Sequence, residues 1–353
     1  MQIIAYSIIT LCEIIMAKKT QESAQSKLMQ RLKEALPSNL SLVDELADLL
    51  EVSNDSAYRR LRGETALSIE EIAAICKHFS LSFDAFVNSN DNGLVTFSYH
   101  QLNSHVNSYK DYLVNIHNDL GKIIQFEDKQ IIYAAEDVPI FHHFYHPELT
   151  AFKIFYWNKS ILNAKGFEEN KFDKNLVDIE LINIAAEILD RYSKIPSIEI
   201  WSDDTVNSTI KQIEFYWDSG IFKNKDDALL ILEQVSQMLD RIKKQAELNI
   251  KIDRENKPVS TENNYSLYHS DVMIGNNCIL VNMGKTQATY LSYHTFNAML
   301  TTNANYCNET DLWLKNLIRK SNLISGVAEK QRYRYFKRIE DVLKKLKEKI
   351  ENE

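Results

Sequence analysis

The sequence predicts an α+β protein, predominantly helical, in which a small N-terminal module of five short helices precedes a larger helical region carrying small antiparallel sheets. Three observations predict it. Apolar residues recur at helical spacing, each run with its own start and stop signal, over residues 23–88. The stretch Asn88-Ser89-Asn90-Asp91-Asn92-Gly93 is polar and turn-rich, and it marks a linker. Beyond it helical patterns alternate with short strand-like runs, and Gly275-Asn276 and Gly284-Lys285 separate three of these as turns of a meander. The expected organisation is therefore an extension outside the core at 1–22, a helical domain at 23–88 and an α+β domain at 94–353.

Residues 2–16 are almost wholly apolar, yet no basic segment precedes them, Glu13 interrupts them, and they fall short of the roughly 20 residues that span a bilayer. The expected translation start is Met16, which opens the polar and basic MAKKTQES, with an N-terminal anchor or a packed segment as the alternatives. In the next segment Leu28, Met29, Leu32, Ala35 and Leu36 predict a helix that Pro37 stops. Ser41 caps a second helix over 42–50, whose early Asp44 and Glu45 suit the positive end of the helix dipole. Ser53 caps a third over 54–62, and Gly63 ends it, because glycine turns left-handed without a Cβ clash. Ser68-Ile69-Glu70-Glu71 reads as a capping box opening a fourth helix, with Ile69, Ile72, Ile75 and Phe79 expected on one face. Residues 82–86 supply a fifth half-turn.

In the larger region strands are expected at 94–99, 129–134, 197–201, 265–273, 277–283 and 288–293. Helices are expected at 105–124, 138–163, 176–193, 205–218, 225–249, 308–322 and 327–350. Residues 253–264 read as a polar loop.

Composition narrows function. The formal charge is -8, from 41 Lys+Arg against 49 Asp+Glu, which excludes a chain that coats nucleic acid or membrane over its whole surface. With 8 Gly and 5 Pro, and no Gly-rich phosphate loop, nucleotide-binding folds of that kind are excluded too. Cys12, Cys76, Cys278 and Cys307 are scattered without metal or redox spacing and fit a reducing cytoplasm, Cys76 as a buried small hydrophobe. His142 and His146 stand at i, i+4 but lack a further ligand at metal spacing, so core or surface histidines are expected. No metal, cofactor or catalytic group is expected. The aromatic density from Phe141 to Trp157 reads as core, or alternatively as an apolar effector pocket. The basic residues of the last helix, interleaved with Glu340, Asp341, Glu348 and Glu351, read as a solvated face, or alternatively as a DNA-backbone or partner contact.

The third helix carries the functional signal. Two short helices joined by a three-residue break have helix-turn-helix proportions. Within it Ala57 and Leu61 point inward, which leaves amides, hydroxyls and three arginines outward, about +2 between Asn54 and Gly63 on an acidic chain. The pattern from Leu46-Ala47-Asp48-Leu49-Leu50 through Tyr58-Arg59, Gly63-Glu64 and Leu67-Ser68-Ile69-Glu70-Glu71 to Phe86 resembles the lambda-repressor-like (Cro/CI, XRE) DNA-binding domain. It is most similar to the variant in BetR-like regulators. The resemblance implies a recognition helix at Asn54–Arg62 and a role in transcription control. Two departures stand out: Glu51 holds a turn position where the family usually has Gly, and Val43 holds one where Gln is common.

On this reading the DNA-binding residues are Ser53, Asn54, Asp55, Ser56, Tyr58, Arg59, Arg60 and Arg62. The arginines take phosphate and guanine contacts, Asn54 and Ser56 hydrogen-bond bases or phosphates, and Tyr58 packs on the sugar-phosphate. The partner is double-stranded DNA, bound by a homodimer because one small head covers few base pairs, and residues 94–353 sense a small-molecule or protein effector or mediate dimerisation. No membrane contact is expected. The alternatives are a protein-interaction head, or an enzyme in 94–353 that the head targets.

Overall fold

Four serines start the four described helices of the N-terminal segment. The structure, a computed structural model, describes residues 23–36, 40–79, 81, 95–99, 108–293 and 297–353, and the chain divides into two compact units, Met1–Thr96 and Phe97–Glu353. In the first unit the helices are α1 (Ala24–Ala35), α2 (Leu42–Leu50), α3 (Asn54–Leu61) and α4 (Ile69–His78). The side chains of Ser23, Ser41, Ser53 and Ser68 each accept from the backbone N–H three residues on, which satisfies donors that have no partner within the helix. Leu28 and Leu32 of α1, Leu46 of α2, Ala57 of α3 and Ile75 of α4 meet in one fully buried core.

One expectation fails here: Ile69 is 81% exposed. It is the first residue of α4, and a helical Cβ leans toward the N-terminus, which carries this side chain past the end of the core. The expected fifth half-turn at 82–86, the linker at 88–93 and the segment 1–22 with Met16 lie outside the described residues.

The second unit is built on one sheet. Its elements are β1 (Ser98–Tyr99), α5 (Ser108–Ile124), β2 (Lys129–Ala135), α6 (Ile140–His143), α7 (Pro147–Tyr156), α8 (Ile179–Ser193), β3 (Ser197–Trp201), α9 (Asn207–Asp218) and α10 (Lys225–Leu248). Then follow β4 (Tyr265–His269), β5 (Cys278–Met283), β6 (Thr286–Tyr293), β7 (Asn297–Thr301), α11 (Ala304–Lys320), β8 (Asn322–Leu323) and α12 (Glu329–Asn352). The helix expected over 138–163 is divided by Pro147, which sits comfortably only in a first turn, and α7 runs on into a π turn at Trp157–Ile161.

The strand order is β1-β7-β6-β5-β2-β3-β4-β8. The α+β, mostly helical class stands, but the strands form a single mixed sheet rather than small antiparallel ones. β2, β3 and β4 are mutually parallel because helices cross over between them, and only a crossover connection returns the chain in the same direction. β4 therefore does not join the expected meander, whose β5–β6 hairpin turns at Gly284 with φ +57° and continues into β7.

Both faces of the central strands are covered. Ile131, Tyr133 and Ala135 face a large core shared with α5 to α10 and α12, while Ile132 and Ala134 face a smaller one under α11. This two-sided burial is why β2 reads as a continuous apolar run. The aromatic segment is core: Phe152 stacks on Phe222 at 5.8 Å and Phe141 on Tyr192 at 4.1 Å.

Candidate nucleic-acid interface

The turn between α2 and α3 is made by a residue whose side chain opposes it. Glu51 caps α2 in the left-handed region, φ 53° and ψ 42°, and its N–H reaches back to the carbonyls of Ala47 and Asp48. A non-glycine residue there carries about 1 kcal/mol of strain, which the surrounding packing holds in place. Val43, the second departure, is half-buried against the core of this unit. Two residues after Glu51, Ser53 begins α3, with its hydroxyl accepting the Ser56 N–H at 3.3 Å. The helix closes with two crossed backbone bonds, Gly63 N–H to Arg60 O at 3.1 Å and Glu64 N–H to Arg59 O at 2.9 Å, around Gly63 at φ +76°.

The outward face of α3 is a stripe at helical spacing. Asp55, Tyr58, Arg59 and Arg62 are all exposed, and Ala57 is fully buried as its spacing predicts. Arg59 pairs with Asp55 at 3.2 Å, and Arg62 pairs with Glu64 at 3.0 Å while its guanidinium lies 5.0 Å from the Tyr58 ring centre. Exposed pairs of this kind are worth up to about 1 kcal/mol, so both arginines can exchange their carboxylate for a phosphate at small cost.

The remaining predicted residues hold the helix. Arg60 donates from Nε to Glu71 Oε1 at 2.9 Å and from Nη1 to the Ser56 carbonyl at 3.2 Å, and its side chain is only 17% exposed against 60% for Arg59. Asn54 Nδ2 donates to Asp44 Oδ1 at 2.9 Å, which fixes the α2–α3 angle. Ser53 Oγ donates to Ser56 Oγ at 3.2 Å. The structure thus brings Asp55, Tyr58, Arg59 and Arg62 to one surface, and turns Arg60 into a link between α3 and α4.

Sequence reasoning missed Gln25. From α1 its Nε2 donates to the carbonyls of Arg60 and Thr65, both at 2.8 Å, and its Oε1 accepts the Leu67 N–H at 3.1 Å. One amide therefore satisfies three backbone groups in the segment that ends α3 and leads to α4. No local pattern announces such a residue, since a Gln on a helix reads as surface.

In the larger unit His142 and His143 are buried. His142 meets the fully buried Glu199 at 2.9 Å, and the same carboxylate accepts from Tyr192, from the Trp201 indole at 2.9 Å and from Tyr265 at 3.1 Å. Burial alone raises the Glu199 carboxyl, but the His142 charge and hydrogen bonds outweigh it and hold it below the ordinary range. His143 lies 3.0 Å from Thr209 Oγ1, and burial pushes its imidazole well down. His146 falls outside α6, as the residue before α7. Among the described residues no cluster of His, Cys, Asp or Glu could hold a metal ion, and no helix is long and apolar enough to cross a membrane. Cys76 is half-buried, and burial raises its thiol. On α12, Lys337 pairs with Asp341, Arg338 with Asp203 and Lys349 with Glu214 and Asp218, while Arg332 is buried on the carbonyls of Ile324 and Gly326.

Residues 22–108 match the family model described as the BetR domain, a helix-turn-helix type of domain, and this span includes the four described helices of the first unit. No curated protein and no solved structure matches the chain.

Proposed function

We propose that the protein is a sequence-specific, DNA-binding transcriptional regulator of the lambda-repressor-like class. It acts in the cytoplasm as a homodimer, with Phe97–Glu353 sensing an effector or holding the dimer together. The observation that carries this reading is the α3 stripe: Arg59, Arg62 and Tyr58, exposed and held in salt-exchangeable or stacked arrangements, on a helix anchored from behind by Arg60, Asn54 and Gln25. Arg59 and Arg62 supply phosphate or guanine contacts, Asp55 accepts from a cytosine amino group, and Tyr58 packs on the sugar-phosphate. A surface of about two helical turns reads few base pairs, so two heads on half-sites about one turn of DNA apart are needed for useful affinity.

A selection of genomic fragments with the purified full chain at two salt concentrations tests this. Enrichment of a short two-fold-related sequence, lost in Arg59→Ala/Arg62→Ala, supports the reading. Absence of any salt-dependent DNA affinity rejects it.

A further inference from the structure

We propose that a cavity between α5 and strands β2, β5, β6 and β7 is a binding site for a small, neutral, mostly apolar molecule with one hydrogen-bonding group, about the size of a substituted benzene. The proposal rests on the effector-sensing reading of this unit and gives it a place and a ligand chemistry.

Protein interiors are close-packed, so an open space beside a core needs a reason. This one holds about 160 Å³. An apolar cavity of about 150 Å³ is enough to take up benzene. Its walls are aliphatic, with Ile116, Leu120 and Ile123 from α5 opposing Ile131, Ile279 and Val281 from the sheet. The aromatic segment that the sequence offered as a pocket contributes only its edge, through Phe141.

Polar groups in the lining have unused capacity. Tyr133 is 7% exposed and lines the cavity, and among the described residues its hydroxyl has no hydrogen-bond partner. Asn277, 8% exposed, accepts the N–H groups of Glu136 and Asp137 on Oδ1 at 2.8 and 3.2 Å, which orients its amide and leaves the NH2 without an acceptor among the described residues. Across the strands Tyr133 pairs with Ile279, and Ile279 with Tyr290, so two phenols flank one aliphatic floor residue. Tyr290 donates to Asp119 Oδ2 at 3.2 Å, and that carboxylate in the lining disfavours an anionic ligand. A neutral ring with a hydroxyl or carbonyl matches this set: the ring meets the aliphatic walls and the heteroatom meets Tyr133 or Asn277.

The probes are 4-fluorophenol, 4-fluorobenzyl alcohol and 4-fluoroanisole, followed by fluorine NMR line broadening on the full chain. The expected result is saturable binding of at least one probe in the millimolar range or tighter, abolished by Ala298→Phe, which fills the cavity from β7. Tyr133→Phe, which keeps the shape, is expected to weaken that probe about 2- to 10-fold. Circular dichroism establishes that both variants are folded. Absence of saturable binding by all three probes overturns the proposal, as does binding that both variants leave unchanged. DNA affinity measured on the same samples separates the readings, since its loss speaks against the regulator and leaves the cavity result standing.

Discussion

Arg60 on α3 and Glu71 on α4 are joined by two contacts, Nε to Oε1 at 2.9 Å and Nη2 to Oε1 at 2.8 Å, while the other carboxylate oxygen accepts the Ser68 N–H at 2.8 Å. One glutamate therefore caps its own helix and holds the neighbouring one. The arginine that completes this link stands one residue from Arg59, whose side chain is free to leave its exposed partner.

The first prediction separates these two arginines. Arg60→Ala lowers the stability of the helical head by about 1–3 kcal/mol, because it leaves Glu71 without its guanidinium, and it leaves the salt dependence of DNA binding unchanged once folding is restored at low temperature. Arg59→Ala leaves stability within about 0.5 kcal/mol and flattens the plot of log K against log salt. In a dimer the change in slope is about two, from two phosphate contacts at about 0.9 each. Thermal melts and fluorescence anisotropy at several salt concentrations check both, and the reverse pattern would sink the assignment.

A second prediction concerns acid. Burial raises the Glu71 carboxyl somewhat, but the Arg60 and Ser68 hydrogen bonds outweigh it and the net shift is downward. A carboxylate lowered on folding contributes stability that is complete above its unfolded pKa and is lost as pH falls through its folded one. The head should therefore weaken as pH drops below about 4.5, and Glu71→Gln should remove that part of the pH dependence. Helix-monitored melts from pH 6 to 3 test it; parallel curves for the two proteins would reject the role given to Glu71.

How much of this was legible follows from how local each cause is. Ser41, Ser53, Ser68 and Gly63 announce helix ends within four residues of themselves, and α2 and α4 run as their caps predict. The sheet is different. Nothing near Ser197 or Tyr265 says that β3 will lie beside β2 on one side and β4 on the other, because that pairing is decided by helices packed between them. β7 was missed because Asn297-Ala298-Met299-Leu300-Thr301 has neither alternation nor β-branched bulk, and it is a strand because β6 offers an edge. At the candidate interface, inward Ala57 and outward Arg59 were legible from spacing alone. The opposite role of Arg60 was not, since its partner lies on another helix.

The third prediction uses the strained cap. Glu51→Gly relieves the left-handed backbone at φ 53° and should stabilise the head by about 0.5 kcal/mol, the strain of about 1 kcal/mol being partly offset by the greater freedom of glycine in the unfolded chain. For a domain of this size that is a rise in Tm of a few degrees. Glu51→Ala keeps the strain and should gain nothing, so equal melting points for the Gly and Ala variants would show that the backbone is not the cause.

The fourth prediction tests a buried cation. Lys153 on α7 is 4% exposed, donates to Gln212 Oε1 at 2.7 Å, and lies 5.0 Å from the Trp157 ring centre. Burial pushes its ammonium down to about 8, against a smaller upward effect of the Asp137 charge. An amine whose pKa falls on folding costs stability while it is protonated in the fold, and that cost fades as pH rises from about 8 toward the ordinary lysine range, since the unfolded chain then holds more protons. Between pH 7.5 and 9.5, below the titration of the unfolded tyrosines, the stability of the larger unit relative to a variant without this amine should therefore rise with pH, by at most about 1.4 kcal/mol per unit. Lys153→Met, of similar volume, should be more stable by about 1–3 kcal/mol at pH 7 and lose the Lys153 share of the pH dependence, while the buried Lys251 and Cys278 keep theirs; Gln212 borders an open cleft where water replaces the ammonium. Urea unfolding followed by tryptophan emission across this range decides it: wild-type and variant profiles that run parallel mean that Lys153 enters the folded core without its charge being penalised.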